Sequence, residues 1–201
     1  MDKKQRNIKF FDSWAGSYDK FVFGFWLRSM HSDVLKFIAK KQKLKILDVS
    51  CGTGEMLLLM LRRLNKPDIY GVDISRNMLD IAKRKLKGRL KLKYADAALL
   101  PFKNNTFDYV ITTESFHHYH NQKKSLMEMK RVLKKNGRLI IADVNFFFDI
   151  VHRIFEILEP GCVRVNSRKD FINMFKKTGF KDIKQIRSSV FGVITAGIKI
   201  S

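Results

Sequence analysis

One short segment narrows the choice of fold more than any other, because an apolar run leads into a glycine turn and then into a leucine-rich stretch. Residues 44–49 form the apolar run, which is typical of a buried strand. Gly52 and Gly54 follow it and allow the backbone to turn sharply and a ligand to approach closely. Residues 55–64 are rich in Leu and Met, which favour a helix. The segment predicts a strand–turn–helix unit whose helix N-terminus offers free N–H groups to an anionic ligand.

Strand-like and helix-like segments alternate after this turn. Further strands are predicted at residues 69–73, 90–95, 107–112 and 138–144, with helices from Arg76 to near Gly88 and over 122–133. Helices over 150–158 and 167–177 follow, and β-like stretches at 181–187 and 190–200 are expected to pair as a hairpin at a sheet edge. Such alternation is typical of parallel βαβ units. We therefore expect an α/β fold with a Rossmann-like, doubly wound seven-stranded sheet, mostly parallel with an antiparallel C-terminal hairpin, and with helices on both faces.

The chain has 201 residues, the length of a single domain. Residues 1–40 precede the first strand, are rich in aromatic side chains and are predicted to form an N-terminal helical lid segment. Residues 146–168 are rich in Phe, Ile and Leu and are a candidate substrate cap inserted after the fifth strand. Segments of this kind exclude water and hold an apolar or aromatic substrate, although ordinary packing of helices onto the sheet explains the same composition.

The charge of the chain is strongly positive, with 40 Lys and Arg against 19 Asp and Glu and a formal net charge of +21. Such a field favours nucleic acid, anionic lipid or a phosphorylated substrate as partner, but the basic residues are spread along the chain and also suit solvated helix faces.

Two cysteines exclude a disulfide scaffold and a four-cysteine zinc site. No run reaches the roughly 18 apolar residues of a membrane span, and no secretory signal is evident, so we expect a cytoplasmic protein.

Asp73 is the next candidate binding residue. It ends the second predicted strand, 19 positions after Gly54 (73 − 54). In Rossmann-like folds an acidic residue about 20 positions after the glycine turn binds the ribose hydroxyls of an adenosine cofactor. The alternative is that Asp73 caps the helix that begins near Arg76. Leu57 stands where the dinucleotide fingerprint has its third glycine, and no Gly-Lys-Ser/Thr follows the turn, so nicotinamide, flavin and P-loop nucleotides are not favoured.

Five segments, in order, resemble the motifs of the class I S-adenosylmethionine-dependent methyltransferases. They are residues 48–54, 71–79, 95–102, 107–110 and 131–143. Residues 11–19 are similar to the Phe-Asp…Tyr-Asp signature of the branch that includes the ubiquinone and menaquinone ring methyltransferases. The resemblance covers roughly residues 10–145 and implies S-adenosyl-L-methionine as cofactor and S-adenosyl-L-homocysteine as product.

The resemblance also implies roles for the residues around the first two strands. Gly52 and Gly54 would pass under the methionine and ribose portions of the cofactor. Asp73 would accept hydrogen bonds from both ribose hydroxyls. Ile74 and Met78 would sandwich the adenine ring.

Further cofactor contacts are implied outside those two strands. Asp96 would accept a hydrogen bond from the adenine amino group, and the Ala97 N–H would donate to a ring nitrogen. Asp48 would orient the turn and balance the cationic end of the cofactor, and Tyr18 would close over its carboxylate. Glu114, which follows the fourth strand, is also predicted to contact the cofactor.

Ser50 is a departure from the family, which usually has glycine at this position. A strongly positive φ is energetically unfavourable for serine, so the substitution is expected to affect the detailed shape of the turn. We still expect Ser50 to contact the cofactor.

His117 and His118 are the candidate catalytic residues, because the loop after the fourth strand borders the ligand crevice and histidine titrates near neutral pH. A general base helps when the nucleophile is a hydroxyl or a ring carbon, although positioning alone can suffice and both residues could simply cap or pack. Together with His120 they place three histidines within four positions. That spacing does not converge on one helix face and no Glu or Cys partner is evident, so no metal is predicted.

These observations favour a methyltransferase that acts on a small, apolar or aromatic molecule. The alternative suggested by the charge is an RNA (tRNA or rRNA) methyltransferase. Against it, no RNA-binding module is visible, and Thr113-Glu114-Ser115-Phe116 stands where amino-group nucleic-acid methylases have Asn/Asp-Pro-Pro-Tyr/Phe. A cofactor-binding protein without enzymatic activity is a third alternative. The sequence makes no prediction of the oligomeric state.

Overall fold

The computed structural model describes residues 3–16, 24–159, 161–188 and 190–200. Its strands are β1 (Lys45–Val49), β2 (Asp68–Asp73), β3 (Lys91–Tyr94), β4 (Phe107–Thr113), β5 (Leu133–Val144), β6 (Phe180–Ser188) and β7 (Gly192–Lys199). Its helices are α1 (Lys3–Trp14), α2 (Gly24–Leu35), α3 (Glu55–Arg63), α4 (Arg76–Lys85), α5 (Gln122–Val132), α6 (Asp149–Leu158) and α7 (Arg168–Lys177).

The seven strands form one sheet in the order β3-β2-β1-β4-β5-β7-β6. Strands β1 to β5 pair in parallel, and β7 runs antiparallel between β5 and β6. The order of the strands reverses between β1 and β4, which places a crevice at their carboxyl ends. The predicted fold class is confirmed, including the antiparallel C-terminal hairpin at the sheet edge.

Both faces of the sheet are buried, because neighbouring residues of each central strand join different hydrophobic clusters. Ile46, Ile111 and Ile140 pack with residues of α2, α3 and α4 on one face. Leu47 and Val110, with other strand residues, pack with residues of α5 and α7 on the other face. Burial on two sides explains why these strands read as continuous apolar runs rather than as alternating patterns.

The start of β5 differs from the prediction. Asn136 and Gly137 are expected to separate a helix from a strand that begins at residue 138, but α5 ends at Val132 and β5 begins at Leu133. The pairing with β4 shifts register between Phe107 and Tyr109, and Asn136 adopts a φ of 62°. A Cβ on Gly137 would lie 2.9 Å from the backbone oxygen of Lys134. The Asn136–Gly137 turn is therefore a bulge inside the strand, and glycine permits the close backbone contact.

The described parts of the N-terminal and cap segments each contain helix, together with turns and irregular stretches. Helices α1 and α2 lie within residues 1–40, and α6 lies within residues 146–168. None of the helices in the described ranges is long and apolar enough to cross a membrane.

Candidate functional site

A cavity of about 260 Å³ lies where the carboxyl ends of β1, β2 and β4 meet. Most of the residues expected to bind the cofactor line it, together with one of the two candidate catalytic histidines: Ser50, Gly52, Asp73, Ile74, Met78, Asp96, Ala97, Glu114 and His118. Asp48, Gly54 and His117 lie outside the described lining. Tyr18 lies outside the described residues.

The glycine turn presents bare backbone to this cavity. Gly52 has a φ of 52°, and a Cβ added to it would meet no atom within 4 Å. Gly54 has a φ of 87°, and its Cβ would lie 3.1 Å from a Leu86 methyl group and 3.3 Å from the Ala82 Cβ. Glycine is therefore required at 54 by both conformation and packing, whereas at 52 it leaves open space where a ligand can contact the main chain.

Ser50 adopts a φ of 62°, the left-handed conformation that favours glycine. Its hydroxyl lies 3.0 Å from the hydroxyl of Tyr119, which in turn lies 2.8 Å from Oγ1 of Thr112. This hydrogen-bonded chain compensates for the backbone strain, so the turn keeps its shape without the usual glycine.

Asp73 holds the turn together from the end of β2. Its Oδ2 accepts a hydrogen bond from Gly52 N (2.8 Å), and its Oδ1 accepts one from Ser75 N (2.8 Å). Burial raises the pKa of Asp73 to about 6, although these N–H donors oppose the rise. The N-cap of α4 is Ser75, whose Oγ accepts a hydrogen bond from Met78 N. Asp73 is therefore not the helix cap, and its carboxyl group lines the cavity.

Two further carboxyl groups are buried beside the site without full hydrogen bonding. Both oxygens of Asp48 and Oε1 of Glu114 are buried and have no hydrogen-bond partner among the described residues. Burial and the nearby Asp73 raise the pKa of Asp48 well above its usual range. Burial and the nearby Asp143 raise the pKa of Glu114 to about 8. Carboxyl groups left in this state are suited to a cationic ligand, which would favour their ionised form.

Helix α1 covers the cavity. Its Lys4 forms a 2.6 Å salt bridge with Oδ2 of Asp96, and its Phe11 ring packs edge-on against His118 at 4.8 Å between centroids. Its Asp12 accepts a 2.5 Å hydrogen bond from the Ser75 hydroxyl, which ties α1 to the start of α4. Burial would raise the pKa of Asp96, but Lys4 and the Ala98 N–H hold it below its usual value. The position of α1 over the cavity suits the lid role predicted for residues 1–40.

His117 is buried behind the cavity wall and is held by Asp143 of β5. The backbone N–H of His117 donates to Oδ2 of Asp143 (2.9 Å), and its Nδ1 lies 2.6 Å from Oδ1. Burial would lower the pKa of His117, but Asp143 and Glu159 overcome that effect and raise it to about 10. A histidine in these surroundings positions its neighbours rather than accepting a proton from a ligand in the cavity.

His118 lines the cavity and has the opposite electrostatic character. Burial and the charge of His117 lower the pKa of His118 to about 3, so its imidazole is neutral. Glu159 lies against both rings, with its Oε2 3.2 Å from His117 Nε2 and its Oε1 3.7 Å from His118 Nε2. The expectation that the histidine run has no acidic partner is therefore wrong. Glu159 lies 41 positions after His118 (159 − 118), and no motif in the sequence connects them.

Several other residues of α1 and α2 line the cavity. Lys4, Asn7 and Phe11 come from α1, and His31 comes from α2. Burial lowers the pKa of His31 to about 4, although the negative charge of Glu55 opposes the decrease. Phe11 begins the Phe-Asp…Tyr-Asp signature, whereas only the aromatic-rich composition of the segment marked Lys4, Asn7 and His31, and composition does not show which side chains face the site.

The predicted substrate cap contributes no residue to the described lining of the cavity. His152 of helix α6 is buried and packs against Phe146. Most of the apolar side chains of α6 are exposed. The exposed ones are Ile150, Ile154, Ile157 and Leu158. Its role as a cap stays a prediction.

Known proteins resemble this chain in sequence and in fold. Residues 47–141 match the family described as Methyltransferase domain. The chain is 27% identical to the demethylmenaquinone methyltransferase of Staphylococcus saprophyticus, over 95% of this chain and 94% of the relative. A chain of the Haloferax volcanii complex that contains the Trm112 methyltransferase activator has a TM-score of 0.85, with 19% identity and coverage of 98% and 97%. Haemonchus contortus phosphoethanolamine N-methyltransferase 2 in complex with S-adenosyl-L-methionine has a TM-score of 0.76, with 16% identity and coverage of 95% and 60%.

Proposed function

We propose that this chain, a class I S-adenosylmethionine-dependent methyltransferase of the quinone-type branch, transfers the methyl group to a small apolar or aromatic molecule. The demethylmenaquinone methyltransferase that it resembles is named for a quinone substrate, which supports a ring of that kind as acceptor. The expected cytoplasmic location stays a prediction.

The residues of the cavity fit S-adenosylmethionine. The open space at Gly52 lets the cofactor contact the main chain. The carboxyl groups of Asp48 and Glu114 have buried oxygens without hydrogen-bond partners among the described residues, and a nearby positive charge would stabilise them. When bound, S-adenosylmethionine supplies an electrophilic methyl group on a cationic sulfur. Bringing that charge next to carboxyl groups stabilises their ionised form and repays part of their desolvation cost.

The chain would hold the nucleoside through residues that already face the cavity. We assign Asp73 to the ribose hydroxyls and Ile74 and Met78 to the two faces of the adenine. Asp96 and the Ala97 N–H would bind the edge of the adenine. Because Lys4 already bridges Asp96 in this structure, the adenine amino group would share that carboxylate with Lys4 or displace it.

The cover formed by α1 is the observation that carries the proposal of a small acceptor. Phe11 lies over His118, and Lys4 and Asp12 fasten α1 to the loop after β3 and to the start of α4. The space beneath α1 is lined in part by apolar side chains, among them Phe11 and Met56. A covered and partly apolar site limits the access of water and positions a flat, uncharged ring in line with the methyl group.

His118 is the histidine that we assign to the acceptor side, because it lines the cavity whereas His117 faces Asp143. A neutral imidazole whose pKa is lowered to about 3 is a weak base. Its contribution is therefore to orient the acceptor by contact or hydrogen bonding, and positioning supplies the larger part of the rate enhancement.

The test is transfer of label from S-adenosyl-[methyl-³H]methionine to a panel of acceptors. The panel contains hydroxynaphthoquinones, simple phenols and bulk tRNA. We expect label in the organic extract with at least one ring compound, and its loss in Asp73→Ala. Asp68→Ala, at the opposite end of β2, is the matched control and should leave the labelling unchanged. Label that enters only tRNA would overturn the proposal.

An RNA acceptor is the second candidate, because the net charge of +21 favours a polyanion. Retention on immobilised tRNA that falls steeply between about 50 and 200 mM salt would favour it. If the protein does not bind tRNA at the lower salt concentration, the RNA acceptor is excluded.

A further inference from the structure

Three side chains that can ligate a metal converge beside the cavity. One ligand atom from each of His117, His118 and Glu159 lies within 4.8 Å of the other two. The two imidazole rings are 4.0 Å apart between centroids, and Glu159 reaches both. Two donors that bind one ion at about 2.0–2.2 Å with tetrahedral angles lie roughly 3.3–3.6 Å apart, so the observed spacings of 3.2 and 3.7 Å leave room for an ion after small adjustments.

Two of the atoms that face each other in this cluster lack hydrogen bonds. His117 Nε2 and Glu159 Oε2 are buried, lie 3.2 Å apart and make no hydrogen bond with the described residues. The side chains of the two histidines are only 3% and 9% exposed. Unsatisfied buried polar atoms are costly, and a cation bound between His117 Nε2 and Glu159 Oε2 would satisfy both of them.

Asp143 supplies the support that metal-binding histidines usually have. Its Oδ1 lies 2.6 Å from Nδ1 of His117, which fixes the ring orientation and turns Nε2 toward Glu159. A carboxylate behind a histidine sets the tautomer and raises the basicity of the ligating nitrogen. The cluster therefore contains both ligands and the group that orients one of them.

We propose that His117, His118 and Glu159 bind a divalent transition-metal ion, with zinc the ion best suited to two imidazoles and one carboxylate. Three protein ligands leave at least one coordination position for water or another donor. Because His118 lines the cavity, the ion lies at the cavity wall, where an acceptor oxygen or sulfur can reach it. The proposal concerns binding alone and does not depend on the identity of the methyl acceptor.

The test is titration of the chelator-treated protein with Zn²⁺ by calorimetry and with Co²⁺ by visible absorption. We expect one equivalent of either metal to bind, with the intense d–d bands of Co²⁺ in a low-coordinate nitrogen and oxygen site. Glu159→Gln keeps the shape of a partly exposed side chain and should weaken binding by tenfold or more, about the range of losses seen when metal-site groups are removed.

His120→Asn is the matched control, because His120 belongs to the same histidine run but pairs with Asp96 at 3.8 Å instead of joining the cluster. Its metal affinity should stay within about twofold of the parent. Circular dichroism of each variant verifies the fold. The proposal is overturned if the parent binds no stoichiometric metal, or if Glu159→Gln and His120→Asn lose affinity equally.

Discussion

Asp73 and Asp143 lie near the carboxyl ends of two parallel strands, yet their surroundings differ. Asp73 accepts hydrogen bonds from backbone N–H groups and lines the cavity. Asp143 is fully buried, contacts His117 with both oxygens and lies outside the described lining. The difference shows that a strand end supplies a carboxylate, but the loops that pack on it decide whether the carboxylate binds a ligand or holds the structure.

Removal of Asp143 should have the largest effect. Asp143→Ala leaves His117 buried without its principal partner, and breaking a buried pair from one side costs about 3–5 kcal/mol of unfolding free energy. Urea denaturation of the metal-free protein measures the change. Asp80→Ala, at an exposed carboxylate in α4 that pairs with Lys83 at the surface, is the control and should change stability by less than about 0.5 kcal/mol. A loss of less than about 1 kcal/mol for Asp143→Ala would show that Asp143 does not stabilise the fold as we infer.

Removal of Asp73 should mainly affect binding. Asp73→Ala eliminates the charge-assisted hydrogen bonds that we propose between this carboxylate and the cofactor, so the affinity for S-adenosylmethionine should fall by about 1–3 kcal/mol in calorimetry. Asp143→Asn, if it folds, should change this affinity much less because Asp143 lies outside the lining. Equal losses in both variants would contradict the assignment of separate roles.

The affinity for the cofactor should also depend on pH through Asp73. The ionised carboxylate accepts hydrogen bonds from hydroxyl groups with both oxygens, and protonation removes part of that capacity. Because the pKa of Asp73 is raised to about 6, binding should weaken by about tenfold as the pH falls from 7 to 5. Asp73→Asn does not titrate and should remove the part of this dependence that Asp73 causes, leaving the part contributed by Asp48 and Glu114. A wild-type profile equal to that of Asp73→Asn would show that Asp73 does not contact the cofactor.

The smallest effect is expected at Ser50, which connects the glycine turn to Tyr119. Ser50→Gly relieves the strain of a φ of 62° but loses the hydrogen bond to Tyr119, and the two changes should cancel to within about 0.5 kcal/mol of stability. Ser50→Ala loses the hydrogen bond and keeps the strain, so it should cost about 1 kcal/mol. Thermal unfolding of both variants and of the parent separates the two contributions: equal melting temperatures of the two variants would show that the strain contributes nothing, and a Ser50→Ala variant as stable as the parent would show that the hydroxyl contributes nothing.

The strands and most of the predicted residues that line the cavity could be found from the sequence because their signals are local. The run of residues 44–49, the glycines at 52 and 54 and the acidic residue at 73 lie within one βαβ unit, whose geometry brings strand ends together. The bulge at Asn136 and Gly137 was missed because a turn signal does not show whether a strand continues through it. The contacts of Lys4 and Phe11 were missed because neither the aromatic composition of their helix nor the signature at residues 11–19 shows which side chains meet Asp96 and His118.

The amino-acid sequence determined the sheet, the turn and the carboxylate at the end of β2, since apolar periodicity and glycine conformation act over a few residues. Tertiary packing decided which histidine faces the cavity and which faces Asp143, and it brought Glu159 to both of them. Those outcomes depend on how the segment after β5 folds back over the sheet. Contacts between positions about 40 residues apart leave no periodic trace in the chain, and only the folded structure shows them.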